Sequence, residues 1–344
     1  MILPAKKMTL GLQKSSIPSL VLIIAIFGSI VGLRWMVGND YESYFMCLMT
    51  EIGIERLELI PSKTIHFFYT TGIPFFLWFV IFASVQMTLY LLGYLKEFSF
   101  ALPLGLFFFL SYELSFFTSG VRQATALCCV FYAYTFIKDR KLAPYMIFMA
   151  LAFLNHKSAI LAFPVYWLLN DKKPLSPPMQ ILIFTIATIA GRFVINYLLG
   201  STAEMFDEFG YGSQQERILN NEKTVTMGSG LGVIFYYCVY IYIIFISPKI
   251  IDYYDSTNFS LYYNLFFIGV CAYMATMDSQ YLARAMKYFT IATPLVLACS
   301  SYYLINTGKK TIAAGIIFCY IAISVLESYD RIWDFVFLQS NFLN

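Results

Sequence analysis

The feature that most constrains this chain is a succession of apolar runs, many of them long enough to cross a lipid bilayer. Hydrophobic residues make up 59% of the sequence, charged residues only 12%, and the mean hydropathy is +0.68. A soluble globular domain carries roughly 25% charged residues. The composition is therefore typical of a polytopic membrane protein. The small net charge of +3, with no cluster of basic residues, argues against a nucleic-acid partner.

The runs predict an all-α fold of about 10 to 11 transmembrane helices in a single transmembrane domain, residues 1–344. The polar stretch 200–229 is predicted to be an outer-face loop. The first run, 17–31, lacks a small-residue cleavage site and is typical of a signal anchor. The predicted spans lie near residues 17–33, 66–95, 99–117, 121–137, 142–155, 158–170, 179–199, 230–247, 259–277, 288–305 and 311–326.

The cations differ between the two predicted faces. With the N-terminal lysines in the cytoplasm, the charged turns at 96, 138–141, 171–173, 249 and 309–310 also fall on that side, as the positive-inside rule requires. Arginine, whose planar fork suits phosphate or carboxylate, falls mostly on the outer side. These arginines predict a polar active face, although an ordinary hydrated surface has a similar composition. They are Arg34, Arg56, Arg122, Arg192 (close to mid-span), Arg217, Arg284 and Arg331.

The sequence Ser119-Gly120-Val121-Arg122-Gln123 places a guanidinium at the mouth of two predicted spans. An ionisable group at such a place is a functional-site hypothesis, and a phosphate is the predicted partner of Arg122. The alternative is an arginine that snorkels to the interface. Glu113 is predicted to be either its counter-ion, which we favour, or a base.

The hairpin 142–170 has cytoplasmic charge runs at both ends and Asn155-His156-Lys157-Ser158 in its middle. Each arm is about 13 to 14 residues, or roughly 20 Å, which is too short for the whole bilayer core. Either the arms reach a thinned or water-filled region, or the hairpin is partly re-entrant. Both versions place His156 and Lys157 at a polar cavity; the alternative is a tight outer loop.

The segment 51–74 alternates apolar and charged residues, as an interfacial helix does. The second span is predicted either to be broken at Thr70-Thr71-Gly72-Ile73-Pro74 or to begin late, near Ile73. The histidine in this segment, His66, is interpreted as structural because the sequence shows no partner for it.

Metal and nucleotide chemistry are disfavoured. The seven cysteines lie mostly in apolar runs, without a Cys-x-x-Cys pair. The sequence also lacks His-Glu-x-x-His, P-loop, Gly-x-Ser-x-Gly and Asp-x-Asp motifs. We expect no cofactor and no metal.

Four short motifs, in order, resemble those of EpsG-like, Wzy-type polysaccharide polymerases. The motif near the start of the family's sequences resembles Arg34 followed by Val37-Gly38-Asn39-Asp40-Tyr41 and Tyr44. Its G-x-RQ motif resembles Gly120–Gln123, and its H-x-SA motif resembles His156–Ala159. Its late arginine resembles Arg284, followed by Tyr288. The Glu-Pro-Gly-Phe-like start of the second span has no counterpart here.

The resemblance implies an all-helical, multi-pass protein of the bacterial cytoplasmic membrane with a cytoplasmic N-terminus. It implies an enzyme that joins polyprenyl-pyrophosphate-linked oligosaccharide units at the outer face, for an O-antigen, capsule or exopolysaccharide. The implied partners are this lipid-linked glycan, membrane lipid, a flippase and a chain-length regulator. No nucleotide sugar or metal is implied.

The chemistry then assigns residues to roles. Expulsion of a pyrophosphate develops negative charge that preorganised cations stabilise, and the acceptor hydroxyl needs a base, most often His or a carboxylate. The predicted catalytic residues are His156, Asp40, Arg122 and Arg284. The predicted substrate-binding residues are Arg34, Tyr41, Tyr44, Gln123, Arg217 and Tyr288.

Two other classes of function remain open on the sequence. A transporter or flippase for a lipid-linked glycan would use the same cations, but the chain shows no convincing internal repeat. A membrane-bound acyltransferase or ligase would use His156, but the usual acidic partner one turn away is missing.

Overall fold

The structure, a computed structural model, describes residues 17–169, 173–201, 231–276, 280–332 and 336–337. These residues are almost entirely helical, and the prediction of an all-α fold is confirmed. The helices are α1 (Ile17–Gly32), α2 (Tyr41–Thr50), α3 (Leu59–Thr71), α4 (Phe76–Leu95), α5 (Leu102–Ser119), α6 (Val121–Tyr134), α7 (Leu142–Asn155), α8 (Val165–Leu168), α9 (Pro177–Ser201), α10 (Leu231–Tyr253), α11 (Phe259–Thr276), α12 (Gln280–Thr290), α13 (Thr293–Asn306) and α14 (Lys310–Ile332).

The remaining elements are short. One antiparallel pair of two-residue strands joins β1 (Arg34–Trp35) to β2 (Val336–Phe337). Single 3₁₀ turns cover Ile54–Arg56, Ser99–Ala101 and Lys157–Ala162. The predicted outer loop 200–229 lies outside the described residues, apart from the last two residues of α9.

Within the described ranges, four helical stretches are long and apolar enough to cross a membrane. They are α4, the stretch Ser99–Ser119 that contains α5, the part of α10 from Gly232, and α11. A bent pair, 282–290 with 293–306, would supply a fifth. The polytopic membrane class is therefore confirmed, whereas the number of about 10 to 11 spans and the single domain stay predictions.

Two predicted spans are shaped differently. The span 66–95 is wrong as one helix: α3 ends at Gly72, whose φ of +67° is left-handed, and α4 begins after Pro74. The late start near Ile73 is the alternative that the structure supports. The span 158–170 is also wrong as a helix, because a 3₁₀ turn and the four-residue α8 take its place, with Pro164 before α8.

The chain divides into two compact units. The first contains the described residues of Met1–Asp171, Ser256–Asn258 and Pro294–Asn344. In it α4 packs between α1 and α6, and α7 packs on the other side of α6. An aromatic core fills the corner between α2, α3 and α4, including Tyr41, Tyr44, Trp78 and Phe79. This corner carries one end of the candidate site.

The second unit contains the described residues of Lys172–Asp255 and Phe259–Thr293. Here α11 packs against both α9 and α12. Its interior holds polar contacts: the Tyr263 hydroxyl donates to Gln180 Oε1 at 2.6 Å, and the Thr185 and Tyr237 hydroxyls lie 3.0 Å apart.

A cluster of lysines and acids lies in the first unit at the C-terminal ends of α4 and α6, and we call it the lysine end. Lys96 lies 3.3 Å from Asp139, and Lys138 lies 3.5 Å from Glu97. Glu97 also accepts the backbone N–H of Asn258 at 2.6 Å. These contacts tie the turns at 96–101, 135–141 and 256–258 together.

Candidate active site

The candidate site is organised around the carboxylate of Glu58. Its Oε2 accepts a hydrogen bond from Arg122 Nη1 at 2.5 Å. Its Oε1 lies 2.9 Å from His156 Nδ1 and 3.3 Å from the backbone N–H of Lys157. An ionised carboxylate can accept hydrogen bonds but cannot donate them, so Nδ1 of His156 is the donor. We call Glu58, Arg122 and His156 the triad.

Each member of the triad lies at the end of a helix. Glu58 is the extended residue immediately before α3, and its side chain makes no capping hydrogen bond to that helix. Arg122 lies in the first turn of α6, directly after the break at Gly120. His156 is the extended residue that ends α7. Residues that are distant in sequence meet here because α3, α6 and α7 pack together.

Arg122 is held from a second side. Its Nε donates to the Tyr44 hydroxyl at 3.1 Å, and its guanidinium carbon lies 5.7 Å from the centre of the Tyr44 ring. Tyr44 is buried against Trp78, at 5.5 Å between ring centres. The guanidinium is thus oriented by a phenol and a carboxylate, and its side chain keeps 24% of its surface exposed.

The charge state of Glu58 follows from its partners. Burial by itself would raise the pKa of this carboxyl. The hydrogen bond from His156 and the positive charge of Arg122 outweigh burial and lower the pKa to about 2. Glu58 is therefore an anion at physiological pH and fixes the orientation of the imidazole. With Nδ1 engaged, Nε2 is the nitrogen of His156 that remains to accept a proton.

Asp40 immediately precedes α2, one turn before Tyr44. The loop that carries it depends on Gly38, whose φ is +100° and whose Cβ, if present, would overlap the Thr118 carbonyl at the end of α5. This close approach brings Asp40 and Tyr44 to the α5–α6 junction. Gln123 is buried beside Arg122 in the same turn of α6.

Arg34 and Tyr41 lie deeper. Arg34 is 1% exposed, donates to the carbonyls of Val31 and Val37, and lies 5.3 Å from the Tyr41 ring centre. Burial lowers the pKa of Arg34 to about 10 and raises that of Tyr41 to about 12. In this structure both side chains pack in the core, and their predicted role in substrate binding stays a prediction.

Two sequence interpretations need correction. The counter-ion of Arg122 is Glu58, and Glu113 is instead fully buried in α5, within electrostatic reach of Tyr90. The helix break at Gly120 separates Glu113 from the first turn of α6. His66 does have a partner, because its Nδ1 lies 2.5 Å from Glu51 Oε1.

Arg284 and Tyr288 lie on α12 in the second unit, with Arg284 half-buried and Tyr288 fully buried. Arg217 lies outside the described residues. The described part of the chain contains no group of three His, Cys, Asp or Glu side chains that could hold a metal ion.

Glu58 is the site residue that sequence reasoning missed. The sequence signal was weak: a single acid before a predicted helix, in a segment that also contains Glu51 and Glu55. The segment Glu58-Leu59-Ile60-Pro61 occupies the start of α3, although the Glu-Pro-Gly-Phe-like pattern expected at the second span is missing. Only the packing of α3 against α7 distinguishes Glu58 from its acidic neighbours.

The fold and the site together define a polytopic, all-α membrane protein with an Arg–Glu–His cluster at its helix ends. The model of the EpsG family matches residues 19–337, nearly the whole chain, and the chain belongs to that family. Membership indicates a membrane protein of the polysaccharide-polymerase type. Searches of curated proteins and of solved structures found no match.

Proposed function

We propose that this protein is a Wzy-type glycosyltransferase that joins polyprenyl-pyrophosphate-linked oligosaccharide units into a surface polysaccharide. The growing glycan leaves its lipid carrier and is transferred to the non-reducing-end sugar of a new unit. The observation that carries the proposal is the Glu58 carboxylate, which bridges a guanidinium and an imidazole. The reaction needs both a cation for the leaving group and a base for the acceptor.

The triad supports a definite division of roles. The acceptor hydroxyl oxygen attacks the anomeric carbon, and its proton passes to Nε2 of His156, which Glu58 orients through Nδ1. The bond from the anomeric carbon to the pyrophosphate oxygen breaks, and its electron pair leaves with the polyprenyl pyrophosphate. Arg122 stabilises the developing charge. Asp40 is the alternative base, and Arg284 is proposed as a second cation for the leaving group.

The position of the triad supports a reaction at the outer face. Arg122 begins α6, whose 14 residues extend for roughly 21 Å, and the lysine end lies beyond the other end of this helix. The positive-inside rule assigns the lysine end to the cytoplasm. The triad then faces the outside of the bacterial cytoplasmic membrane, where a flippase delivers substrate and a chain-length regulator acts.

The test uses the purified protein in detergent with one synthetic polyprenyl-pyrophosphate repeat unit, and glycan length is resolved on a gel. We expect a ladder for the wild type and none for Arg122→Ala or Arg122→Lys, because lysine lacks the planar fork. Consumption of the unit without a ladder would indicate a ligase or a hydrolase. Lipid movement in vesicles without turnover would indicate the transporter.

A further inference from the structure

The hydrogen bonds of Arg122 leave one edge of its guanidinium available. Nε binds the Tyr44 hydroxyl and Nη1 binds Glu58, whereas Nη2 has no hydrogen bond to any residue that the structure describes. The side chain is partly exposed, so Nη2 is accessible. A guanidinium oriented by two partners, with a free amino group, is suited to bind an anion.

Lys157 is anchored beside the same carboxylate. Its backbone N–H donates to Glu58 Oε1, on the opposite side of the carboxylate from the bond that Arg122 makes to Oε2. Residue 157 is exposed, and its ammonium forms no ion pair within the described ranges. A lysine side chain has a flexible four-carbon stem with three N–H donors at its end. The ammonium of Lys157 can therefore reach an anion that is bound next to Glu58.

The charge balance makes Lys157 distinctive. Glu58 neutralises Arg122 in the resting site. A pyrophosphate carries a negative charge on each phosphoryl group and gains another when the glycosidic bond breaks. One guanidinium, already paired, cannot balance this charge. Among the residues that the structure describes, the only other cation that the triad anchors directly is Lys157.

We propose that Arg122 and Lys157 together form the pyrophosphate-binding site for the lipid-linked donor, each contacting one phosphoryl group, with Glu58 bonded to the guanidinium of Arg122 and to the backbone of Lys157. The inference rests on the proposed function and adds to it a cation anchored beside the triad and a binding mode. Lys157 is a substrate-binding residue, so its loss weakens donor binding more than it slows the chemical step.

The matched control is Lys63 on α3. It is exposed, lies five residues after Glu58, and also forms no ion pair among the described residues, but nothing anchors it to the carboxylate. Lys63→Gln therefore removes the same charge from the same surface without touching the site. Lys157→Arg retains the charge at the site.

The experiment measures binding of farnesyl pyrophosphate and farnesyl monophosphate, both free of sugar, to the full-length protein in nanodiscs by calorimetry. For the pyrophosphate we expect Lys157→Gln to raise Kd about tenfold, the usual effect of losing one charge-assisted hydrogen bond. Lys157→Arg should stay within about threefold of the wild type, and Lys63→Gln should not differ. The monophosphate should discriminate much less between the wild type and Lys157→Gln.

The outcomes separate this inference from the function. If Arg122→Ala loses pyrophosphate binding and Lys157→Gln does not, the second cation is wrong while the polymerase proposal stands. If Lys157→Gln and Lys63→Gln weaken binding equally, the effect is general surface charge and the inference fails. It also fails if the wild type does not bind the pyrophosphate. In the ladder assay, Lys157→Gln should raise KM and largely retain kcat; the reverse pattern would contradict a binding role.

Discussion

The triad and the lysine end use the same kinds of charges in opposite ways. At the triad one carboxylate with a 9% exposed side chain receives three donors from two segments of the chain. At the lysine end the side chain of Asp139 is 39% exposed. Its carboxylate lies 3.3 Å from the ammonium of Lys96 and 3.4 Å from that of Lys141. The triad holds its side chains in one geometry, whereas the charged side chains of the lysine end are partly exposed to water.

The difference follows from solvent. Exposed pairs are screened and contribute about 0 to 1 kcal/mol, whereas removing one partner of a buried pair costs about 3 to 5 kcal/mol because the other charge is left uncompensated. Lysines in water are sufficient to set topology. A site that must orient an imidazole and a guanidinium needs buried, multiply bonded partners, as Glu58 provides.

The largest expected effect is therefore Glu58→Gln. It leaves Arg122 partly buried without its anion, and we expect a loss of about 3 kcal/mol in the free energy of unfolding. The matched change at the lysine end, Asp139→Asn, should cost less than about 1 kcal/mol. Chemical denaturation in a fixed detergent measures both. Equal losses in the two variants would remove the distinction between the regions.

A double variant sharpens this prediction. Glu58→Gln combined with Arg122→Met removes both charges, so no unpaired charge remains, and we expect part of the lost stability to return. Polymerisation should stay absent, because the cation for the leaving group is gone. Activity in the double variant would show that the triad is structural only.

The next effect is on catalysis. His156→Gln should lower kcat by about 100-fold or more, the usual contribution of a general base. The chain has two histidines, so a His66→Gln background leaves one imidazole visible by ¹⁵N NMR. We expect neutral His156 to be protonated at Nδ1, and Glu58→Gln to mix the tautomers. A predominant Nε2–H form in the Glu58-containing protein would contradict the assigned orientation.

A smaller effect is expected in the loop that positions Tyr44. Gly38→Ala places a Cβ on a residue whose φ is left-handed, at +100°, and brings that Cβ against the Thr118 carbonyl. We expect it to lower the free energy of unfolding by about 1 to 3 kcal/mol and to lower activity. Gly72→Ala is the control, because its φ is +67° but no atom lies within 4 Å of the added Cβ. That variant should lose only about 1 kcal/mol. Equal costs would show that the contact with α5 does not hold the loop.

The last effect is a pH dependence. The pKa of Glu58 is lowered from 4.5 to about 2 in the folded protein. The stability from its ionised form is thus fully present above pH 4.5 and is lost as the pH falls toward 2. The difference in thermal unfolding temperature between the wild type and Glu58→Gln should narrow over this range. A constant difference from pH 6 to 3 would show that the charge of Glu58 is not what stabilises the triad.

The sequence by itself determined the class of protein and half of the site. Apolar runs require helices in a bilayer, since every backbone polar group must be satisfied within the segment. Rare polar residues in such a chain stand out, so Arg122, His156, Asp40 and Tyr44 could be predicted as site residues from the sequence and its resemblance to the family. The break at Gly72-Ile73-Pro74 was also readable, because glycine and proline act locally.

Only the tertiary structure decided which of these residues meet and what joins them. Glu58 lies 64 residues from Arg122 and 98 from His156, and in sequence it is one of several acids in a polar segment. Its role arises because Glu58, immediately before α3, bonds to Arg122 in the first turn of α6 and to His156 at the end of α7. Tertiary packing also buries Arg34 and Glu113, and the sequence alone did not indicate how deeply these two charges lie. The local sequence pattern determines where helices form. The desolvation and the hydrogen bonds that make a charged side chain functional depend on contacts between distant segments.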